Sequence, residues 1–347
     1  MDQSSIGMRA VVLAALCLVA QWCRSAELIV LPRVGVDPRA GAVSPVAVSD
    51  DGNVVVGSCE PARGERQAFI WRRGIGMEIF SVPGGSSATA ISADGKVIVG
   101  EAMFSHNEPP HAFRWEDSTG IEDLGTLGGD GHARAISADG SIISGDGTNI
   151  QGHRRVFRWT RQLGMEDLGG MGQSSNMTSM SADGRVIAGY NSAGNIFLPW
   201  WRTDSMGFRH LPSDFKTAFA YTVSGDGSRI FGRCPVNGEA RSGYWENGGE
   251  FQPLPGLGTT PSDVSDDGNT IVGSVRAAPA RAVRWKLPGG ELEVLDEVYR
   301  HLLPNGGRLQ NARGVSADGR FIVGSLTKPR FSSRVSETYG YILDTSD

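Results

Sequence analysis

The chain has 347 residues, 48 of them glycine, with 39% hydrophobic and 20% charged residues and a formal net charge of −5. The apolar fraction is too high for a disordered chain, and the acid excess offers no basic field to a polyanion, so nucleic acid is not an expected partner. Abundant glycine suits many short strands joined by tight turns, where it supplies positive φ.

Residues 1–25 read as a secretory signal. Arg9 is a positive flank, residues 10–20 are continuously apolar, and Cys23-Arg24-Ser25 places small residues where cleavage needs them. The apolar run is shorter than the ~20 residues a membrane span needs. No later segment is long and apolar enough, so no transmembrane span is expected in the mature chain, 26–347. A secreted, periplasmic or cell-surface location follows.

From there one pattern governs the chain. Ser-x-Asp-Gly begins at Ser49, Ser92, Ser137, Ser181, Ser224, Ser265 and Ser316, at spacings of 43, 45, 44, 43, 41 and 51. Trp71, Trp115, Trp159, Trp201, Trp245 and Trp285 keep step, and Tyr341-Ile342-Leu343 takes that place in the seventh unit. The second unit predicts a short strand A at 88–92, a turn at Ala93-Asp94-Gly95, strand B at 96–100, strand C at 111–115 and strand D at 120–124. Four short strands per ~43 residues is the size of a propeller blade. Strand A is poorest in bulk, as a crowded innermost strand should be, and the Trp of strand C can fill the wedge between blades.

The mature chain begins with a strand-D-like segment, Leu28 to Pro32, and ends on a strand C with no strand D after it. The expected fold is therefore an all-β, seven-bladed β-propeller of four-stranded antiparallel blades, closed by the N-terminal strand pairing into the last blade. An open solenoid has no need of such complementary ends. The long sixth spacing holds Leu295, Val298, Tyr299 and Leu302 at helical intervals, which predicts a short helix over 295–303 at the edge between blades six and seven. Cys59 and Cys234 follow the same strand in blades one and five, too far apart for a disulfide, so two thiols are expected.

His111-Ala112-Phe113, the exit Asp123 to Gly129, Ala135-Ile136-Ser137 and Gly140 resemble the unit of the HAF-repeat family of extracellular repeat proteins. The late segment Leu295 to Gly324, with its expected helix and the motif Gly314 to Gly319, resembles that family's closing repeat. The resemblance implies an exported repeat protein and brings no catalytic residues. The Ser-x-Asp-Gly turn is also similar to that of TolB-type propellers, which bears on fold alone.

The repeated Asp residues, one per A–B turn, read as turn formers satisfying their own backbone. Glu122-Asp123 and Glu166-Asp167 lie on outer strands, and neighbours along a strand face opposite ways, so they do not converge as acid–base pairs. The B–C and D–A loops share one face of the ring. There blades two and three gather Glu101, His106, His111, His132, His153 and Arg154, a rim able to hold a metal or an anionic ligand. No tight metal spacing, nucleotide-binding loop or nucleophile elbow occurs, and no cofactor is expected. Two functional expectations follow: a monomeric, non-enzymatic scaffold binding protein or glycan through this rim, or a propeller hydrolase or lyase acting on extracellular polysaccharide.

Overall fold

The structure is a computed structural model that describes residues 25–35, 41–62, 65–213, 217–275, 278–329 and 336–346. The expected signal lies outside these but for Ser25. The strands form seven four-stranded antiparallel sheets. Six are built from consecutive strands, as in blade two: Ser86–Ile91, Ile98–Ala102, His111–Glu116 and Gly120–Gly125. The chain is a seven-bladed β-propeller.

The first two strands of blade two lie one to two residues off the expected bounds. Lys96 and Val97 belong to the turn, because Ser92 uses its backbone and its hydroxyl to bind Val97. The same turn recurs in every blade. Ser137 Oγ donates to Asp139 at 2.6 Å and accepts the Ile142 N–H at 2.9 Å, while Asp139 accepts the Ser141 N–H at 3.0 Å. All seven Ser–Asp contacts measure 2.6–2.8 Å. The motif serine is buried in each blade, so its two bonds satisfy groups that water does not reach.

Blade seven closes the ring. Its strands Arg308–Val315, Phe321–Pro329 and Ser336–Asp344 are completed by the N-terminal Glu27–Val30, in the register Glu27↔Asp344 to Val30↔Tyr341. Leu31 follows, fully buried, with its N–H on the Gly340 carbonyl at 2.9 Å. The joint pairs an edge that would otherwise stay open.

Each hydrophobic cluster joins neighbouring blades. Ile70 and Phe80 of blade one pack with Ile98, Phe113 and Trp115 of blade two, Phe80 and Trp115 stacking at 4.9 Å. The Trp series fills these wedges as expected in five blades. Blade four departs from it. There Gly189 pairs Trp200 just as Gly100 pairs Phe113, so Arg202 stands in the place of Trp115. Trp200 is the fully buried ring, and Trp201 is one residue out of step. The predicted helix is a single α turn, Leu295–Val298, followed by a 3-10 turn, Arg300–Leu302. Leu295 and Tyr299 are buried between blades six and seven, while Val298, the last residue of the α turn, is 45% exposed.

Candidate functional site

Two features of the repeat build a channel along the axis. Every innermost strand carries a β-bulge at the residue three before the motif serine, as between Ala88 and Ala90 or Ala133 and Ala135. Opposite each bulge stands a glycine five residues after the turn glycine. A Cβ on Gly145 would meet the His132 carbonyl at 2.0 Å, and the six equivalent glycines meet theirs at 2.0–2.2 Å. Only a bare backbone lets the bulged strand approach. The bulge turns its extra residue toward the axis. The result is a ring of Val46, Thr89, Arg134, Thr178, Tyr221, Ser262 and Arg313 around a cavity of about 260 Å³.

The A–B turn end of this cavity is bound by a belt. At five of the seven joints the residue after the motif serine donates its N–H to the matching carbonyl of the next blade: Asp50 to Ala93, Ala93 to Ala138, Ala138 to Ala182, Ala182 to Gly225, and Asp266 to Ala317, at 2.8–3.1 Å. Ala317 N–H instead meets Asp50 Oδ1 at 3.4 Å. Three acids collect here. Burial, then the repulsion of neighbouring carboxylates, raises the pKa of Asp50 and Asp266. Burial also lifts Asp263 to about 6, although it accepts bonds from the Val315 N–H and the Thr222 hydroxyl.

The opposite end holds half of the expected rim. Glu101 is hydrogen-bonded to His132 Nδ1, and Asp130 lies 3.0 Å from His132 Nε2. Arg154 joins Asp130 at 3.1 Å to Asp146 at 2.9 Å, and Arg134 returns from Asp146 at 3.3 Å to Glu101 at 4.0 Å. Burial opposes the charge on His132, but its bonds to Glu101 and Asp130 outweigh this and raise its pKa. The same bond to His132 leads the causes that lower Glu101. Both imidazole nitrogens are committed, so neither is offered to a metal. Among the described residues no group of three His, Cys, Asp or Glu is placed to hold a metal ion.

The structure thus unites Glu101, His132 and Arg154 in one closed circuit. It leaves the other three residues apart from it: His111 faces Asp123 at 2.9 Å, His153 bonds Arg155 at 3.1 Å, and His106 is an exposed loop residue.

An aromatic ladder was not foreseen from the sequence. Tyr190 and Phe197 of blade four meet Phe219 of blade five at 5.2 and 4.9 Å, and Phe219 stacks on Tyr221 at 5.8 Å and 4°. All four rings are half-buried, and the last borders the cavity. Their signal was the pair Phe219-x-Tyr221 on strand A, although the bulge at Tyr221, and not alternation alone, sets where the second ring points.

No family model and no curated sequence matches this chain. Its fold is similar to that of oligogalacturonate lyase from Vibrio parahaemolyticus (10% identity, 93% of this chain and 99% of the other, TM-score 0.63). It is also similar to the β-propeller domain of the trilobed protease from Pyrococcus furiosus (11%, 93% and 99%, 0.59). TolB from Acinetobacter baumannii matches at 17% identity over 70% of this chain, with a TM-score of 0.50, and this chain spans 63% of its length. At such identities the likeness concerns the fold.

Proposed function

We propose that this protein is an exported, non-enzymatic binding module whose ligand, a glycan, meets the propeller at the B–C and D–A loop face and enters the axial cavity. The observation that carries this reading is the contrast within the repeat. Turn, glycine and bulge are the same in seven blades, whereas the bulged residues differ in size, charge and chemistry. The aromatic ladder supports a glycan, because flat half-buried rings stack on sugar faces at little entropic cost. The apolar run within residues 1–25 and the HAF-repeat resemblance support export. No helix among the described residues is long and apolar enough to cross a membrane. A protein ligand is the alternative occupant of the same face.

The test is a glycan array followed by thermal shift on the mature protein, since a ligand that binds only the folded state raises its melting temperature. The expected result is stabilisation by one class of oligosaccharide, lost in Phe219→Ala, with no product formed. Absence of any glycan response, with Phe219→Ala indistinguishable from the parent, defeats the reading.

A hydrolase or lyase of extracellular polysaccharide is the second reading, favoured by the raised pKa of three acids beside the cavity. Both oxygens of Asp263 are tied to neighbouring blades. Proton transfer there would loosen an inter-blade bond. Chain cleavage in the array eluates, abolished in Asp263→Asn, would replace the first reading by this one.

A further inference from the structure

We infer that His132 is a proton-operated clasp between blades two and three: as an imidazolium it ties Glu101 of one blade to Asp130 of the next, and loss of one proton releases Glu101 on the B–C and D–A loop face. The geometry calls for two protons. Nδ1 faces Glu101 and Nε2 faces Asp130, and an ionised carboxylate only accepts, so each ring nitrogen must donate. A neutral imidazole has one N–H and turns a lone pair toward the other carboxylate. The charges agree. The circuit sets three carboxylates, Glu101, Asp130 and Asp146, against two guanidiniums, Arg134 and Arg154. It balances only when His132 is charged. The His132 side chain is 13% exposed and that of Asp146 2%, so water does little to offset an imbalance there.

The two acids are held unequally. Asp130 also accepts the Thr148 N–H at 2.7 Å and pairs with Arg154. Among the described residues the Glu101 carboxylate has, beyond His132, only Arg134 at 4.0 Å and the charge of Arg66. Glu101 is therefore the end that lets go. The other charges on strands packed against His132 are committed elsewhere. On the third strand of blade two, His111 turns to Asp123 and Arg114 to Glu116; the inner strands Ser86–Ile91 and Ser175–Met180 carry none. The fold does not need this chemistry. The equivalent two positions at the joint of blades four and five hold Tyr190 and Phe219, ring against ring at 5.2 Å. The Gly131 N–H on the Pro110 carbonyl, at 2.7 Å, keeps blades two and three together when the clasp opens, so the proton loosens a rim and does not unfold a blade. Arg134 belongs both to the circuit and to the ring around the axial cavity, so the state of the clasp reaches the cavity wall.

Two measurements test this. In the first, the ring nitrogens of His132 are followed by proton–nitrogen NMR of the mature protein from about pH 5 to pH 10, their signals assigned by their loss in His132→Gln. Both nitrogens should stay protonated above the ~6.5 at which an unperturbed histidine titrates, and Glu101→Gln should lower that midpoint. A midpoint at or below ~6.5, or one that Glu101→Gln does not move, overturns the inference. The second is the melting temperature of the parent and of His132→Gln across the same pH range. A raised folded pKa makes the contribution full below the unfolded value and removes it as the pH rises through the folded one. The parent should therefore melt higher than His132→Gln at low pH, and most of that gap should close once the pH passes the NMR midpoint. A gap of constant size makes His132 a packing residue and also overturns the inference. Should His132→Gln not fold, the titration of the parent, assigned through the shift in Glu101→Gln, decides alone.

Discussion

Replacing Asp263 by asparagine separates the charge of this side chain from its bonding. Its carboxylate ties blade six to both neighbours, through the Val315 N–H at 2.9 Å and the Thr222 hydroxyl at 3.3 Å. An asparagine of the same shape can accept from Val315 and donate to Thr222. Burial raises the Asp263 pKa to about 6, against about 3.9 in an unfolded chain. A raised folded pKa means that the protonated acid is favoured in the fold. The stability it contributes is fully present below pH ~4 and lost as the pH rises through 6. A two-unit shift corresponds to about 3 kcal/mol at pH 8, or about 1–3 kcal/mol once screening in the open channel is allowed for. For a domain of this size, at about 2.1 cal/mol/K per residue, each kcal/mol moves the melting temperature by roughly 1.5 °C. Asp263→Asn should therefore melt about 2–4 °C higher than the parent at pH 8, and the gain should shrink to about a third at pH 4.5. Scanning calorimetry at matched ionic strength reads both values. A loss of stability of the same size at both pH values would refute the reasoning, since the carboxylate would then act as a bonded anion.

Other positions test the scaffold. Gly145→Ala drives a Cβ to 2.0 Å from a backbone carbonyl and 2.8 Å from the Phe157 ring; it should cost about 3 kcal/mol or more in urea unfolding. Gly289→Ala, with nothing within 4 Å, should stay within about 0.5 kcal/mol of the parent. Leu31→Ala, at the closure joint and fully buried, should cost about 2–5 kcal/mol and increase dimer or aggregate in light scattering as the blade-seven edge opens. Cys59 and Cys234 are buried thiols not joined in a disulfide, and burial pushes the Cys59 thiol up to about 12. Both should resist iodoacetamide in the native state and react fully on unfolding; a native protein labelled at neutral pH within minutes would contradict this.

The sequence carried the blades well because their signals are local. Ser-x-Asp-Gly reports a turn whose every bond lies within five residues, so period and topology could be read directly, and the complementary ends at Leu28 and Tyr341 disclosed the closure. Trp201 misled because a neighbouring Trp satisfied the same spacing. Only cross-strand register, Gly189 against Trp200, tells which ring is inside. The rim was half legible for a similar reason. Shared face follows from topology, and it brought Glu101, His132 and Arg154 together. Whether a histidine points inward depends on strand position, and His111 turns instead to Asp123 on its own blade.

The channel was hidden for a different reason, and the cause is instructive. Alternation along strand A alone places every second residue toward the axis, but the bulge adds one residue and redirects the side chain at that point. The glycine that permits it was visible in each unit, always five residues after the turn glycine. Its meaning was not, because the clash it avoids is with another strand. The repeat therefore uses its constant residues to free its variable ones. Turn, glycine and belt carry the backbone of the inner ring, so the bulged side chain owes nothing to folding and can be Val, Thr, Tyr, Ser or Arg at no cost to the blade.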